Sequence, residues 1–95
     1  MAVLGSITKQ PSEILDFDID YTTVLAGRAD TLTTPTVTFS PTGVTAPTPT
    51  ISGNKVKVVV SAGTDAVTYK ATITVLTTPA GLKYEDEVNI VVQET

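Results

Sequence analysis

Hydrophobic and polar residues alternate along several stretches of the chain, most regularly from Leu15 to Tyr21 and from Val67 to Val75. A period of two residues is typical of an extended strand, because successive side chains of a strand point to opposite faces. The same alternation predicts further strands at residues 33–40, 55–61 and 84–93. Each predicted strand therefore has one buried side and one side that faces solvent.

Turn-forming residues separate these strands at intervals of about ten residues, and no stretch shows a helical period. They cluster in short segments such as Pro41–Gly43, Ser52–Lys55 and Thr77–Gly81. This pattern predicts an all-β protein, an immunoglobulin-like antiparallel β-sandwich of about six or seven strands. We expect residues 1–12 to form an N-terminal arm and residues 13–95 to form a single sandwich domain.

Composition supports this fold and excludes several functions. The chain has 95 residues, with 13 valines, 6 isoleucines and 19 threonines but no tryptophan, so β-branched side chains must build most of the core. A net charge of −4 and only six basic residues argue against binding to nucleic acid. No apolar run approaches the roughly 20 residues of a membrane span. The absence of cysteine favours a protein made inside the cell over a secreted one.

Three aspartates, Asp16, Asp18 and Asp20, lie on one face of the first predicted strand. Neighbours in this row are about 7 Å apart, too far for two of them to hold one ion unaided. The row does not fit a calcium loop, because Tyr21 and Gly27 occupy the positions where glycine and glutamate are required. A metal site would need further ligands such as Asp30, Glu85 or Asp86. The favoured interpretation is a solvated acidic face that also discourages strand pairing.

Candidate catalytic residues are scarce. The chain has no histidine and no cysteine, so Ser-His-Asp and Cys-His arrangements cannot form. No segment has the glycine pattern of a phosphate-binding loop, and we expect no cofactor and no enzymatic activity. Tyr21, Tyr69 and Tyr84 would suit a carbohydrate-binding or cell-surface adhesion module if they were exposed. Each of them, however, lies on the inward register of its predicted strand.

Four segments together resemble a known family: "KQPSEILDFDIDY", "AGRADTL", "SGNKVKVVVSAGTDAVTYKATITVLTTPAG" and "VNIVVQE". They are similar to the small immunoglobulin-like fibre-tail adaptor proteins of tailed bacteriophages and prophages. The residues that match the opening motif of that family are Lys9, Pro11, Glu13, Leu15, Asp16, Phe17, Ile19 and Asp20. Those that match its central motif are Ser61, Gly63, Thr64, Tyr69, Thr77 and Gly81.

The resemblance implies a non-enzymatic virion protein of the tail or connector. Its partners would be other tail, connector or fibre proteins, with copies of the chain associating as a homo-oligomer and with no contact to nucleic acid or membrane. The candidate assembly contacts are the acidic face, the loop after it and the N-terminal arm, represented by Asp16, Asp18, Asp20, Arg28, Asp30 and Lys9.

Overall fold

The computed structural model describes residues 3–27 and 29–94 of the chain. Strands occupy most of this length, and the alternating sequence pattern accounts for the longest of them. The strands are β1 (Val3–Lys9), β2 (Leu15–Asp20), β3 (Thr31–Ser40), β4 (Val44–Thr45), β5 (Thr50–Ser52), β6 (Lys55–Ala62), β7 (Val67–Thr78) and β8 (Lys83–Val92). One helical turn, α1 (Thr22–Leu25), links β2 to β3.

The strands form two sheets. The larger sheet has the order β1-β8-β7-β3, in which β1 runs parallel to β8 and the other pairs are antiparallel. In the smaller sheet, β6 is central, with β2 on one side and the short strands β4 and β5 also paired to it. The molecule is elongated, with principal extents of 45 × 22 × 19 Å.

The core lies between the sheets and consists mainly of β-branched side chains. Alternate residues of β6, β7 and β8 point inward, and their fully buried apolar members are Val56, Val58, Val60, Ala71, Ile73, Val75, Ile90 and Val92. Burying one valine or isoleucine side chain contributes roughly 1.5 to 3 kcal/mol, so these two faces supply most of the driving force for folding. The strand period in the sequence thus sets which side of each strand is buried.

The predicted all-β sandwich is confirmed, with two local differences. Strand β1 falls within the segment predicted to be an N-terminal arm, and it pairs with β8 from Gly5 to Lys9. Gly5 and Ser6 interrupt the apolar alternation there, so the sequence gives little sign of a strand. The second difference is α1, in a segment predicted to be a loop. Its four residues turn the chain so that Leu25 is buried.

Within residues 3–27 and 29–94, no helix is long and apolar enough to cross a membrane.

Candidate functional site

The predicted acidic face is part of the outer surface of the smaller sheet. Asp16, Asp18 and Asp20 are all exposed on β2, as the alternation predicts. Across the strand pair, Asp18 lies opposite Lys57 and Asp20 opposite Lys55. The Lys57 Nζ atom is also 3.8 Å from Asp16 Oδ2. The face is therefore a row of mixed charge, in which two lysines on β6 oppose three aspartates.

A shallow depression of about 300 Å³ lies on this face, lined by Asp18, Thr50, Ser52, Lys55 and Lys57. Both signs of charge contribute to its lining. Across the described parts of the chain, no three acidic side chains come close enough together to hold a metal ion. What this surface offers is a set of exposed hydrogen-bonding and charged groups, suited to contact with another macromolecule.

Lys9 lies at one end of the sandwich, which we call the lysine end and define by Lys9, Gly43, Ala62, Gly63 and Tyr69. The Lys9 side chain is 1% exposed. Its Nζ atom donates to the carbonyl oxygens of Ala62 at 2.6 Å, Gln10 at 2.7 Å and Pro11 at 3.3 Å. The bond to Ala62 joins the end of β1 to the end of β6 in the other sheet. In the structure, the predicted contact residue Lys9 therefore has its amino group enclosed by its own chain.

Packing at the lysine end is close around two glycines with positive φ. A Cβ atom on Gly63 would lie 2.7 Å from Cγ2 of Val92, and one on Gly43 would lie 2.8 Å from the Tyr69 hydroxyl. That hydroxyl accepts a hydrogen bond from the Thr64 N–H at 2.9 Å. The Tyr69 hydroxyl is thus paired, and neighbouring side chains lie too close to the backbone of both glycines for larger residues to fit without displacement.

The opposite end contains a second polar contact, and we call it the tyrosine end, defined by Tyr21, Val24, Leu82, Tyr84 and Asp86. The buried Tyr21 hydroxyl donates to Asp86 Oδ2 at 2.7 Å. Burial, and then the hydrogen bond to Asp86, raise the pKa of Tyr21 well above its usual range. The Tyr21 and Tyr84 rings pack with their centroids 6.0 Å apart. This cluster fastens the chain after β2 to the beginning of β8.

Two of the predicted contact residues lie at the tyrosine end: Asp20, the last residue of β2, and Asp30, in the loop before β3. Asp20 accepts hydrogen bonds from the side chain and the backbone N–H of Thr22, and these bonds lower the pKa of its carboxyl group. Asp30 Oδ1 accepts from the Ala80 N–H at 3.3 Å, which ties the loop before β3 to the turn between β7 and β8. The predicted contact Arg28 lies outside the described residues.

Exposed apolar side chains are unevenly distributed between the two ends. Val24 is 43% exposed and Leu82 is 37% exposed, and they flank the Tyr21–Tyr84 pair in sequence. Ile14, next to the first residue of β2, lies towards the lysine end and is 70% exposed. Val24 and Leu82, which we refer to together as the apolar patch, are thus apolar side chains at one end that the chain itself does not cover.

The sequence analysis did not identify Val24 and Leu82 as exposed residues of the tyrosine end. It also did not identify Asp86 as the acceptor of the Tyr21 hydrogen bond. Asp86 carried a detectable signal, because it occupies an inward position of β8, where alternation requires an apolar side chain. A charged residue at such a position needs an internal partner. The exposure of Val24 and Leu82 had no such signal, since both lie in connections where the strand period does not apply.

Comparison with protein families finds a match over residues 9–93 to the model described as podophage GP4 fiber-tail adaptor protein gp77. Comparison with curated proteins finds no match. The matched region runs from the buried Lys9 through both sheets to the residue after β8, and so includes both ends of the sandwich. The chain belongs to the podophage GP4 fiber-tail adaptor gp77 family and has the structural role in a phage tail that this family indicates.

Proposed function

We propose that the protein joins neighbouring tail or fibre proteins of the virion, without catalysis, through contacts centred on the tyrosine end. The observation that carries this proposal is the exposure of Val24 and Leu82 at the end that holds the hydrogen-bonded Tyr21–Asp86 pair, in a member of an adaptor family. Apolar side chains held on an ordered surface bind a partner at little cost in conformational entropy.

Charged groups at the tyrosine end would form the rim of the contact. Asp20 ends β2 and Asp30 lies in the loop before β3, and the mixed-charge face of β2 and β6 continues from Asp20 towards Asp16. Rim charges govern the rate and salt dependence of association more than its affinity. We therefore expect partner binding to weaken moderately with salt, because exposed charges are screened over about 8 Å at physiological ionic strength.

Copies of the chain associate in this proposal, as is usual for virion components built from many identical subunits. The elongated shape, 45 Å along its longest axis, separates the two ends and lets one end bind a partner while the rest of the surface contacts other copies.

The test is incorporation into particles. Val24→Ser combined with Leu82→Ser removes the apolar patch but leaves the Tyr21–Asp86 bond in place. We expect this variant to fold normally and to be depleted from purified phage particles, measured by immunoblot against the wild type. Ile14→Ser is the matched control, since it removes an exposed apolar side chain towards the other end. Equal incorporation of all three proteins would refute the proposed contact.

A further inference from the structure

The described sheets have four edges, and three of them carry features that obstruct pairing with another strand. Strand β3 contains Pro35 at an irregularity between Thr33 and Thr36, where the register with β7 shifts. The opposite edge of β6 carries only the short strands β4 and β5, which are separated by a segment containing Pro47 and Pro49. Prolines, bulges and very short strands all hinder the addition of a further strand.

Edge strand β2 is obstructed by charge. Asp16, Asp18 and Asp20 alternate along its whole length. In a pair of β2 strands from two copies, these carboxylates would face one another across the new junction. Like charges directly opposite each other in a strand pair are destabilising.

Strand β1 differs from the other three edges because its one register shift, between Val3 and Gly5, lies at its beginning and leaves regular pairing with β8 from Gly5 to Lys9. Its sequence from Val3 to Thr8 contains neither proline nor a charged residue. The one charge of the strand, Lys9, is withdrawn into the protein, where its amino group is bound by three carbonyl oxygens. In the sheet, β1 pairs with β8 on one side and is the terminal strand on the other.

Backbone geometry identifies the groups available at this edge. The Lys9 carbonyl oxygen accepts a hydrogen bond from the Gln93 N–H at 2.9 Å, so the backbone groups of Lys9 point towards β8. Backbone groups of successive strand residues point to opposite sides. Those of Ile7 therefore also face β8, while the N–H and C=O groups of Ser6 and Thr8 face the open edge.

We propose that β1 is a self-association edge, at which β1 of a second copy pairs antiparallel to form one continuous sheet across two molecules. A second copy is the fitting occupant because the regular part of β1, from Gly5 to Lys9, presents neither proline nor a free charge to oppose its own copy, and two-fold symmetry requires the same surface on both partners. Two copies of one strand that are related by a two-fold axis perpendicular to the strand run antiparallel. This inference rests on the association of copies in the proposed function and names the surface involved.

With a two-fold axis beside Ile7, the edge-facing N–H and C=O groups of Ser6 and Thr8 all form hydrogen bonds between the two copies. It places Ser6 of each copy opposite Thr8 of the other, so that the pair exchanges N–H···O=C bonds in both directions. The two Ile7 side chains then meet on the inner side of the sheet, where Ile7 already packs against the core. On the outer side, the short hydroxyl side chains of Ser6 and Thr8 leave room for close approach of the two strands.

Ser6→Pro tests the pairing selectively. The Ser6 N–H faces the open edge, so its removal leaves the bonds between β1 and β8 in place but blocks a hydrogen bond to a second copy. Sedimentation equilibrium of the full chain over concentrations up to about 0.5 mM is expected to show the wild type approaching twice the 9.9 kDa mass of one chain. Ser6→Pro is expected to remain monomeric with an unchanged circular dichroism spectrum. Ser6→Ala keeps the N–H and is expected to dimerise like the wild type.

A disulfide experiment provides an independent measurement should Ser6→Pro also disturb β1. The chain contains no cysteine, so any disulfide reports on introduced residues alone. When Ser6→Cys and Thr8→Cys proteins are mixed and oxidised, the mixed disulfide is expected to exceed both homodimeric ones, because paired strand residues lie within disulfide distance. A monomeric wild type at every concentration, or random disulfide formation, would overturn the proposal. Dimerisation of the wild type together with undiminished particle incorporation of the Val24→Ser, Leu82→Ser variant would instead contradict only the tyrosine-end contact.

Discussion

The Lys9 ammonium group at the lysine end is enclosed by three carbonyl oxygens, whereas the Tyr21–Asp86 bond at the tyrosine end lies near the exposed side chains of Val24 and Leu82. Both ends use a polar contact to fasten elements together. At the lysine end, close packing around Gly43 and Gly63 leaves no space for larger side chains. The close packing at the lysine end serves stability, whereas the tyrosine end leaves apolar side chains exposed, as the proposed partner contact requires.

Replacing one glycine at each end gives the largest expected contrast. Gly63→Ala adds strain at a φ of +107° and places a methyl group 2.7 Å from Val92 Cγ2. We expect it to lower the free energy of unfolding by about 2 to 4 kcal/mol. Gly53, in the turn whose Asn54 carbonyl binds the Tyr21 N–H, has φ +59° and open space around it. Gly53→Ala should cost only about 1 kcal/mol. Equal losses in urea unfolding would show that packing at the two ends is alike.

Lys9→Met tests whether the buried Lys9 contributes more to stability than an exposed lysine does. The variant keeps an apolar stem of similar length but removes the charged donor from three carbonyl oxygens, so we expect a loss of about 2 to 3 kcal/mol. Lys83→Met, on the exposed first residue of β8, is the control and should change stability by less than about 0.5 kcal/mol. Chemical denaturation of both variants measures the difference, and a neutral Lys9→Met would remove the stabilising role assigned to Lys9.

Tyr21→Phe tests the polar contact of the tyrosine end. Loss of the bond to Asp86 should lower stability by about 1 to 2 kcal/mol at neutral pH. Because folding raises the pKa of Tyr21, the wild type should also lose stability as the pH rises above the ordinary tyrosine value of about 10. The loss of stability at alkaline pH that is caused by ionisation of Tyr21 should be absent in Tyr21→Phe and present in Tyr84→Phe. Identical alkaline profiles for the three proteins would contradict the assignment.

Asp20→Asn should have the smallest effect. Hydrogen bonds from Thr22 lower the pKa of Asp20, so its stabilising contribution is present above the ordinary aspartate pKa of about 3.9 and disappears as the pH falls through the lower folded value. The variant should match the wild type at the most acidic pH and be slightly less stable at neutral pH. Thermal melts across this pH range measure the difference in stability. A difference between the two proteins that grows as the pH falls would contradict the predicted pH dependence.

The sequence predicts the sandwich well because burial on one face of a strand imposes a period of two. Strands β6 and β7 show it, with valine, alanine or isoleucine at the inward positions of their centres. Strand β1 was not predicted because Gly5 and Ser6 break the apolar alternation. This strand is defined by its pairing with β8 and not by its local sequence. The parts of the site that depend on contacts between distant residues, such as Lys9 with Ala62 and Tyr21 with Asp86, have no local signature.

The candidate contacts illustrate the same limit. The aspartate row was readable as an exposed face, but its lysine partners on β6 become neighbours only through the β2–β6 register. Lys9 looks like a typical exposed charge in sequence and is enclosed in the fold. Conversely, nothing in the local pattern distinguishes the exposed Leu82 from a buried leucine such as Leu32.

Site-specific photo-crosslinking in assembled particles tests most directly whether the tyrosine end makes the joining contact. A photoreactive amino acid would replace Leu82 at the tyrosine end or Thr42, an exposed residue beside Gly43 at the lysine end. We predict that irradiated particles yield a covalent adduct with a different virion protein from position 82 and none from position 42. An adduct from position 42 alone would contradict the account.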